Sequence, residues 1–253
     1  MKFRTGTDEI AVNIPTQQAL KAAVDHRWTN GQGFALATLN LDHLVKLAAD
    51  PGFRQAYHAQ DLVVADGNPI VWLSRLARQP VELLPGSDLV VPLAQWAKAA
   101  GIDVALVGST DDSLRQAADA LQSAVPGLQI VCRVAPPFGF DPTGAGADAI
   151  LTQVAQSGAG LCFVALGAPK QELFAARGRD VAPGVGFASI GAGLDFLSGT
   201  QVRAPLWVRR LALEWLWRLL QQPGRMVGRY LACFRILPGH IWRALKSRRP
   251  AQH

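Results

Sequence analysis

Between Gly33 and Gly193 short apolar runs alternate with longer amphipathic stretches. The apolar runs predict strands over Phe34–Thr38, Leu62–Ala65, Ile102–Val107, Leu128–Val134, Leu161–Leu166 and Val185–Ile190. Between several of them the spacing predicts helices over Leu41–Ala49, Asp88–Ala100, Asp112–Ala124, Ala145–Gln156 and Lys170–Arg177. Strands that are apolar throughout and alternate with helices imply βαβ units and a mostly parallel sheet covered on both faces. Such sheets bind ligands beyond the carboxyl ends of their strands, so the residues that follow each apolar run are the first to read for chemistry.

After Ser198-Gly199-Thr200 the pattern changes. Pro205 to Leu220 reads as one helix, apolar over most of its surface; Pro223-Gly224 ends it, and a second helix runs from Arg225 to about Leu237. Pro238-Gly239 is expected to break that helix before a short basic one. The expected architecture is α/β, a Rossmann-like sheet in residues 1–200 with a basic helical appendage in residues 201–253. Charge sharpens the division. Residues 203–253 carry 11 of the 25 Lys and Arg and a single acid, Glu214, whereas the rest of the chain holds 14 bases and 18 acids. Four of the seven tryptophans, Trp207, Trp215, Trp217 and Trp242, share that basic segment. Arginine interleaved with tryptophan and leucine suits a membrane surface bearing anionic headgroups, or a phosphate-bearing partner.

Composition removes several classes. With 49% hydrophobic and 17% charged residues the chain is no disordered polymer. Three cysteines without a Cys-x-x-Cys pair make a disulfide framework or a thiolate zinc site unexpected, and the thiols are expected to be buried and reduced. The five histidines show no ligand spacing and no Asp-x-Asp clamp is present, so no catalytic metal and no cofactor are expected. Asp8 and Glu9 stand where a signal peptide needs apolar residues, and the charge-free run from Ala149 to Pro169 is too polar for a membrane span. The expected location is the cytoplasm.

Four strand ends carry candidate chemistry. Thr38-Leu39-Asn40 places small polar groups where they can bond a ligand, although Asn40 equally suits a helix N-cap. Asp66, in Ala65-Asp66-Gly67-Asn68-Pro69, leaves a buried strand, and partial desolvation there makes a carboxylate a stronger base; it can also be the local cap of a plain turn. Gly167-Ala168-Pro169-Lys170-Gln171-Glu172 reads as a strand-to-helix turn. Its exposed N–H groups, together with Lys170 and Gln171, favour a phosphate or a hydroxyl-rich ligand, or else form a well-capped junction. Gly191-Ala192-Gly193 permits close backbone approach to a ligand but lacks the third glycine of a dinucleotide fingerprint.

These segments, taken in order with Gly86-Ser87-Asp88, Pro136-Pro137-Phe138-Gly139, Gly191-Ala192-Gly193-Leu194-Asp195-Phe196, Arg203-Ala204-Pro205, Leu213-Glu214-Trp215-Leu216-Trp217-Arg218, Pro223, Arg225 and Arg229-Tyr230, resemble the WecG/TagA/CpsF family of bacterial glycosyltransferases. The resemblance implies inverting, metal-independent transfer of a hexose or N-acetylhexosamine. The donor is a UDP-sugar and the acceptor a polyprenyl-diphosphate-linked sugar at the inner membrane face, in cell-surface polysaccharide synthesis. It implies Asp66 as general base, Thr38 and Asn40 near the reacting sugars, and Gln171 in the donor pocket. Arg218, Arg225 and Arg229 would bind diphosphate on an appendage that closes over the site and rests peripherally on the membrane. The apolar stretch from Leu206 to Leu220 also suits burial against a second copy of the chain. The competing readings are a nucleotide-binding oxidoreductase using Gly191-Ala192-Gly193, and a non-catalytic basic module for membrane or nucleic acid; no nucleic-acid motif supports the latter.

Overall fold

The computed structural model describes residues 1–6 and 8–248, with the side chain of Arg225 outside the described set. The chain opens with an antiparallel hairpin, β1 (Lys2–Thr5) and β2 (Asp8–Ala11), followed by α1 (Gln17–Thr29). Then come β3 (Phe34–Leu39), α2 (Leu41–Ala49), α3 (Pro51–His58), β4 (Leu62–Ala65), α4 (Asn68–Leu76) and α5 (Gly86–Ala99). The second half runs β5 (Val104–Gly108), α6 (Asp111–Ala124), β6 (Ile130–Val134), α7 (Ala145–Gln156), β7 (Leu161–Ala165), α8 (Lys170–Val181) and β8 (Gly186–Ser189). It closes with α9 (Gly193–Leu197), α10 (Leu206–Arg210), α11 (Glu214–Gln221) and α12 (Pro223–Lys246).

Strands β3 to β8 form one parallel sheet in the order β4-β3-β8-β7-β5-β6. All six expected strands are present, with ends displaced by at most two residues. Alternation along each strand sends side chains to opposite faces. Phe34, Leu36, Val64, Leu106 and Phe163 pack with α1, α5 and α6, whereas Ala35, Ala37, Leu39, Val107 and Val164 meet α2, α7 and α8. Both faces are therefore covered, and a parallel sheet places every strand's carboxyl end on one edge. All three cysteines are free and buried.

The N-terminal hairpin, α1 and α3 lay outside the periodic reading. So did α4 and α9. The signal is weak for α1, which buries only Leu20 and Val24, and for the hairpin, whose strands are four residues long; α3 starts at an Asp50-Pro51 cap but runs for only eight residues.

The C-terminal segment departs from expectation twice. The helix expected over 205–220 is divided into α10 and α11 by a turn in which Ala212 takes φ +60°. Conversely, Pro238 does not break the following helix, and α12 continues through it to Lys246. A proline within a helix lacks the N–H for the carbonyl four residues back, and local propensity favours a stop. Here α12 lies against α2 and α4, with Cys233, Ile236, Leu237, Ile241 and Ala244 packed on the core on both sides of Pro238. That burial outweighs one lost hydrogen bond. Among the described residues no helix is long and apolar enough to cross a membrane.

Candidate active site

Asp66 leaves β4 with its backbone N–H donated to the carbonyl of Leu39 at 2.7 Å. Gly67 follows at φ +91°, a conformation glycine alone adopts cheaply, and the chain turns at once into α4. Just past the neighbouring strand β3, Asn40 is the expected N-cap of α2 and also holds Asp66. Its Oδ1 accepts the N–H of His43 at 2.9 Å and so caps α2, which leaves Nδ2 facing Asp66, to whose Oδ2 it donates at 3.3 Å. The cap therefore sets the orientation of the amide that holds the carboxylate. Thr38, one turn of the pleat earlier, is buried, with Oγ1 3.5 Å from the carbonyl oxygen of Ser189 on β8.

Burial pushes the Asp66 carboxyl from 3.8 up to about 6. Donation from Asn40 and the positive charge of Arg218 act against the rise, and the negative charges of Glu214 and Asp88 add to it. Arg218 belongs to α11, so the C-terminal segment reaches the carboxyl edge of the sheet. Its Nη2 binds Glu214 Oε1 at 2.7 Å, and its guanidinium lies 5.9 Å from the centre of the Phe196 ring. Arg203 lies 5.8 Å from the same ring and bonds Asp88, which also has Arg209 Nη1 3.8 Å away. Arg229 Nη2 is paired with Asp42 Oδ2 at 2.9 Å, beside Lys46, which bridges Asp42 and the carbonyl of Ala168. The Arg225 side chain lies outside the described residues.

At the end of β7, Gly167 (φ +70°) turns the chain into α8. Lys170 Nζ donates to the carbonyl of Phe140 at 2.7 Å, so it fastens the 136–140 loop. Gln171 is buried, with Oε1 accepting the N–H of Gly191 at 3.0 Å and Nε2 donating to Glu172 Oε1 at 2.8 Å. It thus ties the β7–α8 turn to the β8–α9 turn. Gly193 has a steric role: a Cβ there would stand 2.9 Å from Val90 Cγ2 and 3.3 Å from Ser87 Cα, where α9 meets α5. Gly191 takes φ +58° and opens the same turn.

Four acids in the matching segments have no role from sequence: Glu214, which pairs with Arg218, and the three that follow. Asp88 gathers Arg203 and Arg209. Asp195 accepts from Ser109 Oγ at 2.6 Å, Ser113 Oγ at 3.2 Å and Gln201 Nε2 at 2.9 Å, so the end of β5 joins the site through Asp195. Glu172 is fully buried, and burial raises its carboxyl to about 7. Its Oε2 has no hydrogen-bond partner among the described residues, while Oε1 lies 4.0 Å from His43 Nδ1. His43, pushed down to about 3 by burial, is neutral, so this contact is no charged salt bridge; its Nδ1 shares a 2.8 Å hydrogen bond with the Tyr57 hydroxyl. For these three acids the only sequence signal was a carboxylate directly after or within a glycine-rich or capping segment.

This buried cluster backs α2 and α8 from beneath. Tyr57→Phe leaves His43 Nδ1 unpaired in the interior and is expected to cost about 1–3 kcal/mol. The shift of the urea midpoint at constant m measures it.

The glycosyl transferase WecG/TagA/CpsF family model matches residues 8–253. The chain belongs to that family. A WecG/TagA/CpsF glycosyltransferase acts in cell-surface polysaccharide synthesis, moving a sugar from a sugar-nucleotide donor to a lipid-linked acceptor. Membership replaces the oxidoreductase and the non-catalytic readings. In this glycosyltransferase Gly191-Ala192-Gly193 accordingly follows the last strand of the sheet and opens only the five-residue α9.

Proposed function

We propose that the protein is an inverting, metal-independent transferase that moves a hexose or N-acetylhexosamine from a UDP-sugar to a polyprenyl-diphosphate-linked sugar. The observation that carries this reading is Asp66, a half-buried carboxyl raised to about 6, bonded to Asn40 and faced by the charge of Arg218. At neutral pH most of it is ionised, yet it is a better base than an ordinary aspartate. It takes the proton of the acceptor hydroxyl as that oxygen bonds to the anomeric carbon from the face opposite the leaving group. The bond from that carbon to the diphosphate oxygen breaks, and UDP departs with the electron pair.

Asn40 and Thr38 orient the reacting sugars, the Gly167 and Gly191 turns let donor and backbone approach, and Gly193 seats α9 on α5 beside them. Gln171 holds the Gly191 turn, and Lys170 holds the loop ending at Phe140, at the edge of the donor pocket. Charge on the leaving diphosphate is met by guanidinium from Arg218, with Arg225 and Arg229, the latter exchanging Asp42 for phosphate. The exposed Leu206, Trp207, Leu211 and Leu220 of the C-terminal segment, set among arginines, rest on the inner membrane surface, where the lipid acceptor resides.

The test is UDP release from a panel of UDP-sugars with a short-chain lipid-diphosphate-sugar acceptor in EDTA. Release with one donor, undiminished by the chelator, is the expected result. Release that requires a divalent ion overturns metal independence, and equal release by Asp66→Asn overturns the base.

A further inference from the structure

We propose that a second anion site, separate from the candidate active site, lies between the N-terminal hairpin, α2 and α12 and binds a phosphate group. A cavity of about 280 Å³ opens there, lined by Arg4, Arg235, Arg243 and His240 over an aliphatic floor that includes Leu44 and Ile236. Arg235 and Arg243 stand two turns apart on one face of α12. Gly239 between them leaves room for the guanidinium of Arg243, whose Nη1 lies 4.0 Å from where a Cβ would be. Among the described residues Arg4 uses only Nε, donating to the carbonyl of Gly6 at 3.2 Å.

Among the described residues none of these three guanidinium groups has an acidic partner. The acids on the surrounding elements are engaged elsewhere: Glu9, opposite Arg4 in the hairpin, pairs with Lys2 at 3.3 Å, Asp8 pairs with Arg54 at 3.4 Å, and Asp42 holds Lys46 and Arg229. Helix α12 contains no acid at all. Three like charges around one concavity repel, and their field attracts a counter-anion.

His240 adds a buried imidazole with no hydrogen-bond partner among the described residues. Burial, with Arg243 beside it, lowers it to about 4, so at neutral pH it supplies a neutral polar group. A carboxylate offers one negative charge to three cations; a phosphate monoester or diphosphate offers about two or more, with oxygens spaced for forked guanidinium donors. The source is a lipid headgroup or a soluble phosphate.

The full chain is titrated with inorganic diphosphate in the presence of UDP, and floated with phosphatidylcholine vesicles with and without phosphatidic acid. Each assay compares wild type, Arg235→Gln/Arg243→Gln, and the charge-matched control Arg115→Gln/Arg133→Gln at the opposite edge of the sheet. The pocket variant is expected to lose at least tenfold in affinity in one or both assays while the control matches wild type. Loss with diphosphate alone marks a soluble ligand, and loss with phosphatidic acid alone marks a lipid. Equal behaviour of the two variants, or no binding by wild type in either assay, overturns the site. All four arginines are exposed, and matching melting temperatures check that the variants fold. The comparison holds whether or not UDP is the leaving group, so its failure is distinct from failure of the proposed reaction.

Discussion

Asp66→Asn is expected to lower turnover by about 10²–10⁴-fold, the usual contribution of a general base, and to leave the protein as stable as before or more so. The two effects share one cause. Burial holds the Asp66 carboxyl at about 6 in the fold against 3.8 in the unfolded chain. The folded state therefore binds the proton more tightly, and stability falls as pH rises between those two values. Below about pH 4 both states are protonated and the substitution changes little. Above about pH 6 the wild type carries a disfavoured charge that asparagine removes, a gain of roughly 1–3 kcal/mol. Activity has the opposite dependence, rising through an acidic limb near pH 6 as the base ionises. Thermal melts of both proteins across this range, with pH profiles of kcat/KM, give the measurement. A variant that loses both activity and stability would assign Asp66 a structural role instead.

Arg218→Ala is expected to cost on the order of 10²-fold in kcat and to move the acidic limb of the pH profile upward. Arg218 is the positive charge that opposes the rise of the Asp66 carboxyl, while Glu214 and Asp88 promote it. Without the guanidinium, Glu214 loses its 2.7 Å partner and its charge acts on Asp66 uncompensated. A higher pH is then needed to ionise the base. Since Arg218 packs over Phe196 at the protein surface, the melting temperature should change little. Arg218→Lys restores the charge but not the planar fork, so it should return the limb toward its original position with only part of the rate. A limb that stays put in the alanine variant would separate Arg218 from the reacting centre.

Much of the candidate site was legible because strand ends in a parallel sheet are marked by the apolar runs that precede them. Asp66, Asn40, Gln171 and Gly193 each lie within five residues of the end of such a run. What each does was less legible, because it depends on partners far away in sequence. Asn40 was read as a cap or a ligand contact, and it caps α2 and holds Asp66 with the two ends of a single amide. Gln171 is engaged by Gly191 and Glu172, and Lys170 by Phe140, contacts that no local pattern announces.

Period and composition determined the layered α/β architecture, the six strands, five of the helices between them and the basic character of the final fifty residues. Those properties follow from side-chain alternation and charge, which neighbouring residues carry between them. The path of the C-terminal segment was decided only in three dimensions. Pro238 stays within α12 because residues on both sides of it bury against α2 and α4, and the turn at Ala212 accompanies Arg209 beside Asp88 and Arg218 near Asp66. The strength of Asp66 as a base was decided in the same way. Its charge is shaped by burial and by Arg218 and Glu214, about 150 residues away in sequence, and desolvation is a property of the assembled fold rather than of any stretch of chain.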